Sequence, residues 1–269
     1  MTLTASYGSW ALVTGSAHGL GRAFAGALAA RGLNLVLIDV DAEANQRRGA
    51  ELAQRYGIET HCERLDVSSS ELAARAEQLA QAYEIGVLVN NAGVSNIGSF
   101  FDTALDDHLR TLDTNCRGTL VLTHVVGRTM RRRGRGAIVI VSSASAPTGA
   151  PVVANYAATK AYGLDLAAGL WAELEQTGVD VLAVCPGLVR TREIELRPPD
   201  LAAAPLVPMM EPAEGAEQAL IALEARRGPV VAPGWHNRLS SFAMARLAPR
   251  RAALRLLKST MRKLYPDAR

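Results

Sequence analysis

The chain has 269 residues, 49% hydrophobic and 20% charged, with 29 Lys/Arg against 26 Asp/Glu for a net charge of +3. That length and composition suit one α/β domain with a substantial core. No apolar run approaches the eighteen or so residues a membrane helix needs, and no basic stretch leads into an apolar core at the start, so a cytoplasmic protein is expected. Cys62, Cys116 and Cys185 lie far apart without metal-ligand spacing and read as free thiols of a reducing compartment, so no metal is expected.

The first apolar run, Trp10 to Val13, leads into Thr14-Gly-Ser-Ala-His-Gly-Leu-Gly21. A helical pattern follows from about Arg22 to Arg31, Gly32 ends it, and a second apolar run from Leu33 to Ile38 closes on Asp39. Strand, glycine turn, helix, strand and acid is the order a dinucleotide site needs. Gly15 and Gly19 let the backbone turn tightly and approach a pyrophosphate, and Gly21 lets the helix pack close to the strand. The helix N-terminus offers unpaired N–H groups to phosphate. Asp39 is placed to accept bonds from the adenosine ribose hydroxyls and to repel the 2′-phosphate of NADP, which favours NAD. His18 in the glycine loop argues the other way, although histidine is mostly uncharged at neutral pH and Val40 offers no second cation.

Further strand-like runs fall at about 58–65, 85–90, 137–142, 179–185 and 229–232, with helical patterns between them. Alternation of this kind predicts a doubly wound parallel sheet with helices on both faces and ligands at the carboxyl ends of the strands. The run Arg131-Arg-Arg-Gly-Arg135 ends a helix, where cations complement the helix dipole. Farther on, Tyr156 and Lys160 sit four apart in a helical stretch, on one face. A free tyrosine has a pKa of about 10, and a fixed cation beside it favours the phenolate that base chemistry requires. Cys185, just before Pro186-Gly187, reads as a small buried filler at a strand end.

The spacing TGxxxGxG, the tetrapeptide Asn90-Asn-Ala-Gly93, Ser143 and Tyr156-x-x-x-Lys160 together resemble the short-chain dehydrogenase/reductase family, over about residues 8–233. The resemblance implies a Rossmann-type domain with seven strands, and a cofactor held by Gly15, Ser16, His18, Gly19, Leu20 and Gly21 in the loop. It adds Asp39 at the ribose, Asp66 and Val67 near the adenine, and Asn91, Ala92 and Gly93 in the turn after the fourth strand. Pro186, Gly187, Val189 and Thr191 would cradle the nicotinamide. It implies Tyr156 as general acid/base and Lys160 holding the nicotinamide ribose while lowering the tyrosine pKa. Ser143, rather than its neighbour Ser142, would donate to the substrate oxygen, and Asn115 would hold a water in the proton relay. It also implies a homodimer or homotetramer, paired through the helices that carry Asn115 and Tyr156.

Substrate information is expected in two places. Residues 192–211, the family's substrate lid, contain Pro198-Pro-Asp-Leu-Ala-Ala-Ala-Pro-Leu-Val-Pro-Met-Met210, irregular and apolar, and residues 144–153 show no charged anchor. Both suggest a hydrophobic small-molecule substrate, with Phe100 and Phe101 at the rim. The domain is expected over 1–237, with a basic amphipathic tail over 238–269. From Arg226 onward there are eleven Lys/Arg against one acid, Asp267, leaving eighteen basic and twenty-five acidic residues before it. Leu239, Phe242, Met244, Leu247, Leu254, Leu257, Met261 and Leu264 form a rough helical stripe divided at Pro249. Docking on an acidic subunit or on the chain's own domain is favoured over an anionic membrane surface. Nucleic acid is not expected, since the tail has few aromatics to stack on bases. The expected activity is NAD-dependent interconversion of a hydrophobic secondary alcohol and its ketone. The alternatives are an NADP-dependent 3-ketoacyl-type reductase and a cofactor-sensing protein without turnover.

Overall fold

The computed structural model describes residues 2–267 apart from Leu206 and 244–248. Met244 and Leu247 of the expected tail stripe lie outside the described residues. In chain order the strands are β1 (Trp10–Thr14), β2 (Asn34–Asp39), β3 (Thr60–Arg64), β4 (Ile85–Asn90), β5 (Gly136–Val141), β6 (Val179–Val184), β7 (Leu188–Val189), β8 (Met209–Met210) and β9 (Val230–Val231). The helices are α1 (Leu3–Tyr7), α2 (Gly19–Ala29), α3 (Ala42–Tyr56), α4 (Leu72–Ala82), α5 (Leu105–Leu112), α6 (Thr119–Arg133), α7 (Ala154–Glu173), α8 (Arg192–Leu196), α9 (Pro212–Glu224), α10 (Trp235–Phe242) and α11 (Arg250–Leu264).

Seven strands make one parallel sheet in the order β3-β2-β1-β4-β5-β6-β9, and β7 pairs with β8 in a small second sheet. Every residue of β4 and β5 is buried, as expected for parallel strands covered on both faces. Successive side chains alternate between two cores. Ala11, Val13, Leu35 and Leu37 join Phe24 and Leu28 of α2 and Leu220 and Leu223 of α9. Leu12, Val36 and Ile38 join Leu72 and Leu79 of α4, Leu122 and Val126 of α6, and Ala167 of α7.

The strand order reverses between β1 and β4, which opens a crevice at their carboxyl ends. Thr14, at the end of β1, fastens that crevice: its hydroxyl accepts the N–H groups of Asn91 and Ala92 at 3.1 and 3.0 Å. Helix α2 begins at Gly19, earlier than the apolar periodicity marks, because glycine adds nothing to that pattern. Between α5 and α6 the chain makes a π-helical turn, Asp113–Gly118, around Asn115. Such turns insert a residue into a helix and are frequent at functional sites. Among the described residues no helix is long and apolar enough to cross a membrane.

Candidate active site

A cavity of about 920 Å³ runs along the carboxyl ends of the strands, from the glycine turn to the C-terminal helix. Its cofactor end is lined by Gly15, His18, Gly19, Leu20, Asp39, Asp66, Val67, Asn91, Ala92 and Gly93. Backbone crowding shapes the turn. A Cβ on Gly21 would lie 2.0 Å from the Gly15 carbonyl oxygen, and Gly15 itself has φ +64°. The residues therefore fit a dinucleotide: Gly19 lines the cavity at φ +50°, and a side chain there would fill the cradle and meet Thr191 at 3.0 Å.

Several predicted residues brace the cradle, and two of them, Ser16 and Gly21, do not line it. Ser16 is fully buried, and its hydroxyl faces the Ile38 carbonyl and the Asn45 side-chain oxygen at 3.2 and 2.8 Å. It ties the loop to β2 and α3 and does not line the cavity. Asn91 reaches the cavity but spends its amide on the Thr14 carbonyl at 2.9 Å. Asp39 is held at the end of β2 by the N–H groups of Ala17 and Asp41, each at 2.9 Å. At Asp66, burial pushes the carboxyl up, but the hydroxyl and N–H of Ser68 outweigh it and hold the group below the ordinary range.

Sequence reasoning missed a cation at this corner. Arg192 of α8 reaches His18 at 3.2 Å and Asp41 at 3.5 Å, while His18 meets Asp41 at 2.9 Å. The bond from His18, then the Ala44 N–H, holds the Asp41 carboxyl below its usual value. Helix α8 thus touches the glycine turn, a juxtaposition of residues far apart in sequence that no local pattern signals.

At the reaction end the cavity is lined by Ser143, Tyr156, Lys160, Pro186, Gly187, Val189 and Thr191. Tyr156 is half-buried on the first turn of α7, and the Lys160 ammonium lies 5.6 Å from its ring centre. Lys160 is buried, and its Nζ donates to the Val141 carbonyl at 2.9 Å. The two candidate serines divide their work. Ser142 donates to the Lys160 carbonyl at 2.7 Å and so positions α7. Ser143 Oγ accepts from the N–H and the hydroxyl of Ser145 at 3.2 and 3.0 Å. Accepting twice leaves Ser143 its own proton to give. Ser145, which orients it, escaped notice in a segment read only as small and apolar.

Asn115 is buried and does not line the cavity. Its amide donates to the Val94 carbonyl and to Thr159 Oγ1 at 3.0 and 2.9 Å, and its oxygen accepts the Val94 N–H at 2.9 Å. The side chain therefore fixes the loop after β4. Lys160 Nζ and Asn115 Oδ1 still converge, since a Cβ on Gly93 would meet them at 3.1 and 3.2 Å. Asn237 of α10, also missed, donates to the Cys185 carbonyl at 2.8 Å and anchors the start of the Pro186-Gly187 turn. Burial pushes the Cys185 thiol up, as suits a filler.

The opposite end of the cavity takes Ile97, Pro147, Ala150 and Val153 from the loops after β4 and β5, and Ile194, Val207, Pro208 and Met209 from the segment 192–211 that was expected to form the lid. Helix α11 adds Leu256, Leu257, Met261 and Leu264. Phe100 and Phe101 do not belong to it: they are 50% and 94% exposed, and Phe100 stacks on His108 at 4.4 Å.

A dinucleotide cradle joined to a Tyr–Lys–Ser cluster defines a nicotinamide-dependent oxidoreductase. The family model for the short chain dehydrogenases matches residues 9–199, and the chain belongs to that family. A very-long-chain 3-oxoacyl-CoA reductase of Podospora anserina is 34% identical over 195 residues, 71% of this chain and 57% of that protein. The chain thus spans less than two thirds of that relative's length. A solved 7β-hydroxysteroid dehydrogenase superposes with a TM-score of 0.88 at 26% identity, covering 96% of this chain and all of that one. That is too much of the chain to leave out α10 and α11 together. A short-chain dehydrogenase of Sphingobium yanoikuyae in complex with NADPH superposes with a TM-score of 0.77 at 30% identity, over 88% of this chain and 93% of that one.

Proposed function

We propose that the protein interconverts a bulky hydrophobic secondary alcohol and its ketone with NAD(H), Tyr156 being the general acid/base. The observation that carries this reading is the meeting of Tyr156, Lys160 and Ser143 in one cavity, between the glycine turn and an end rich in apolar side chains. The nicotinamide, when bound, supplies or accepts the hydride. Tyr156 Oη gives a proton to the forming alkoxide, or takes it from the alcohol. Ser143 donates to the same oxygen, stabilising its charge as it develops. Lys160, fixed by the Val141 carbonyl, keeps a cation beside the phenol and is the group that would hold the nicotinamide ribose. Asn115 would act through the loop it fixes, with a water passing the proton from Lys160 outward.

Asp39 supports NAD, because a carboxylate fixed at the end of β2 opposes a 2′-phosphate. His18 and Arg192 would favour that phosphate, but Asp41 matches their charge. The second reading, an NADP-dependent 3-oxoacyl reductase, draws support from the Podospora relative's name and from the NADPH bound by the Sphingobium enzyme. A screen of hydrophobic secondary alcohols and 3-oxoacyl thioesters with both cofactors, followed by absorbance of the reduced nicotinamide, separates the two. Turnover of the alcohols and tighter binding of NADH than NADPH are expected. The reverse order of cofactor affinity would refute the Asp39 argument, and turnover of thioesters alone would favour the second reading.

A homo-oligomer completes the proposal. Leu105, Leu109 and Leu112 repeat along one face of α5 and are 70%, 46% and 42% exposed, and Tyr162 and Trp171 of α7 are 37% and 40% exposed. Open apolar surface of this kind marks an interface. Leu109→Asp is expected to shift the species seen by size-exclusion chromatography with light scattering toward monomer. A wild-type protein that runs as a monomer at micromolar concentration would rule the pairing out. The tail is proposed to dock on its own domain, and the thiols to suit a reducing, cytoplasmic setting.

A further inference from the structure

The lid and the C-terminal helix share a small core of their own. Ala204 of the lid and Leu264 and Tyr265 at the end of α11 are buried together, with Ile97, Val207 and Met261 packed against them. A backbone bond joins the two segments, from the Asp200 N–H to the Leu264 carbonyl at 2.9 Å. Leu257, Met261 and Leu264 follow one another at helical spacing and face the cavity. On the other side of the helix Arg251, Arg255, Lys258 and Arg262 form an equally regular stripe, all exposed. Turning the helix would bury guanidinium groups and expose leucine, so this two-sided pattern fixes which face looks inward.

From this geometry we infer that α11 is a wall of the substrate chamber and sets the size of substrate it accepts. The inference rests on the ketone/alcohol reading above and names its substrate class more closely: a ketone with an extended, bulky apolar body. Leucine and methionine offer such a body contact area with no polar anchor, and the flexible thioether of Met261 adapts to its outline. The helix lies beyond residues 9–199, so the family match does not assign it this role.

The test uses the full chain with Met261→Trp, which fills the wall from inside, and Lys258→Trp, which adds the same bulk on the outer face. Three probes, cyclohexanone, 2-decalone and a four-ring steroid ketone, are compared by kcat/KM, and their binding to the cofactor-loaded protein is followed by intrinsic fluorescence. In Met261→Trp the preference for the four-ring over the one-ring ketone is expected to fall at least tenfold, in turnover and in binding, while the cofactor Kd holds. Lys258→Trp is expected to keep the wild-type preference. An unchanged preference in Met261→Trp, or an equal change in Lys258→Trp, overturns the wall. A wild-type protein that binds the series with the expected size preference but turns none of it over overturns the ketone reading alone. Failure to bind any of the three overturns both.

Discussion

Tyr156→Phe is expected to lower kcat about a thousandfold, within the ~10²–10⁴ that one positioned acid/base contributes. The cofactor Kd should stay within about twofold, because the change removes a single oxygen whose role is proton transfer. The substitution keeps the ring and its packing on the first turn of α7, so it tests the hydroxyl alone. Lys160 is a poorer target: its ammonium also holds the Val141 carbonyl at 2.9 Å, and its loss would disturb β5 as well as the proton path. Ser143 is also less direct, since Ser145 stands close enough to replace its hydroxyl. Stopped-flow hydride transfer beside a fluorescence titration of NADH reads the two quantities separately. Turnover retained at the wild-type level would remove Tyr156 from the proton path. Turnover lost with binding kept would exclude a cofactor sensor, whose function needs no acid.

The parallel sheet was legible because its central strands are near-continuous apolar runs, and the seven expected positions recur in the structure within a residue or two at most ends. Helix α1 was not foreseen, as five residues capped by Thr2 are too few for periodicity to register. The π-helical turn around Asn115 likewise leaves no pattern, because an inserted residue changes hydrogen bonding and not composition. Residues that reach the site by local spacing, Gly15 and Gly19 in the turn and Tyr156 and Lys160 on α7, could be read along the chain. Those that act through another residue could not. Thr14, Ser145 and Asn237 are ordinary polar residues until the fold shows what they hold, and Arg192 meets His18 across 174 positions. The tail's amphipathic stripe was visible, but only contacts with residues 192–211 and the cavity showed that Leu257, Met261 and Leu264 of α11 turn inward, while Leu239 of α10 stays 61% exposed.

The close approach at Gly21 yields the second large effect. Gly21→Ala is expected to weaken dinucleotide binding at least a hundredfold and to lower Tm by roughly 5–12 °C. A Cβ there would lie 2.0 Å from the Gly15 carbonyl oxygen and 2.5 Å from the Asn91 amide nitrogen. An ordinary carbon–oxygen contact needs about 3.3 Å, so the glycine turn would have to retreat by more than 1 Å. Retreat strains the bond from the Asn91 amide to the Thr14 carbonyl and the one from the Gly15 N–H to the Ile38 carbonyl, 2.9 and 2.8 Å long. These bonds join β1 to β4 and β2 at the point where the crevice opens, so stability and binding should fall together. Gly26→Ala, in the same helix, isolates the cause. Its Cβ would meet only the far end of Arg48, at 2.5 Å, a flexible side chain that can swing aside. Alanine also favours a helix interior over glycine by about 1 kcal/mol, so Gly26→Ala should keep both Tm and cofactor affinity. Calorimetry and NADH titration of the two variants would decide. Wild-type affinity in Gly21→Ala would mean that the turn does not cradle the phosphates, while equal losses in both variants would trace the effect to helix α2 rather than to the close approach.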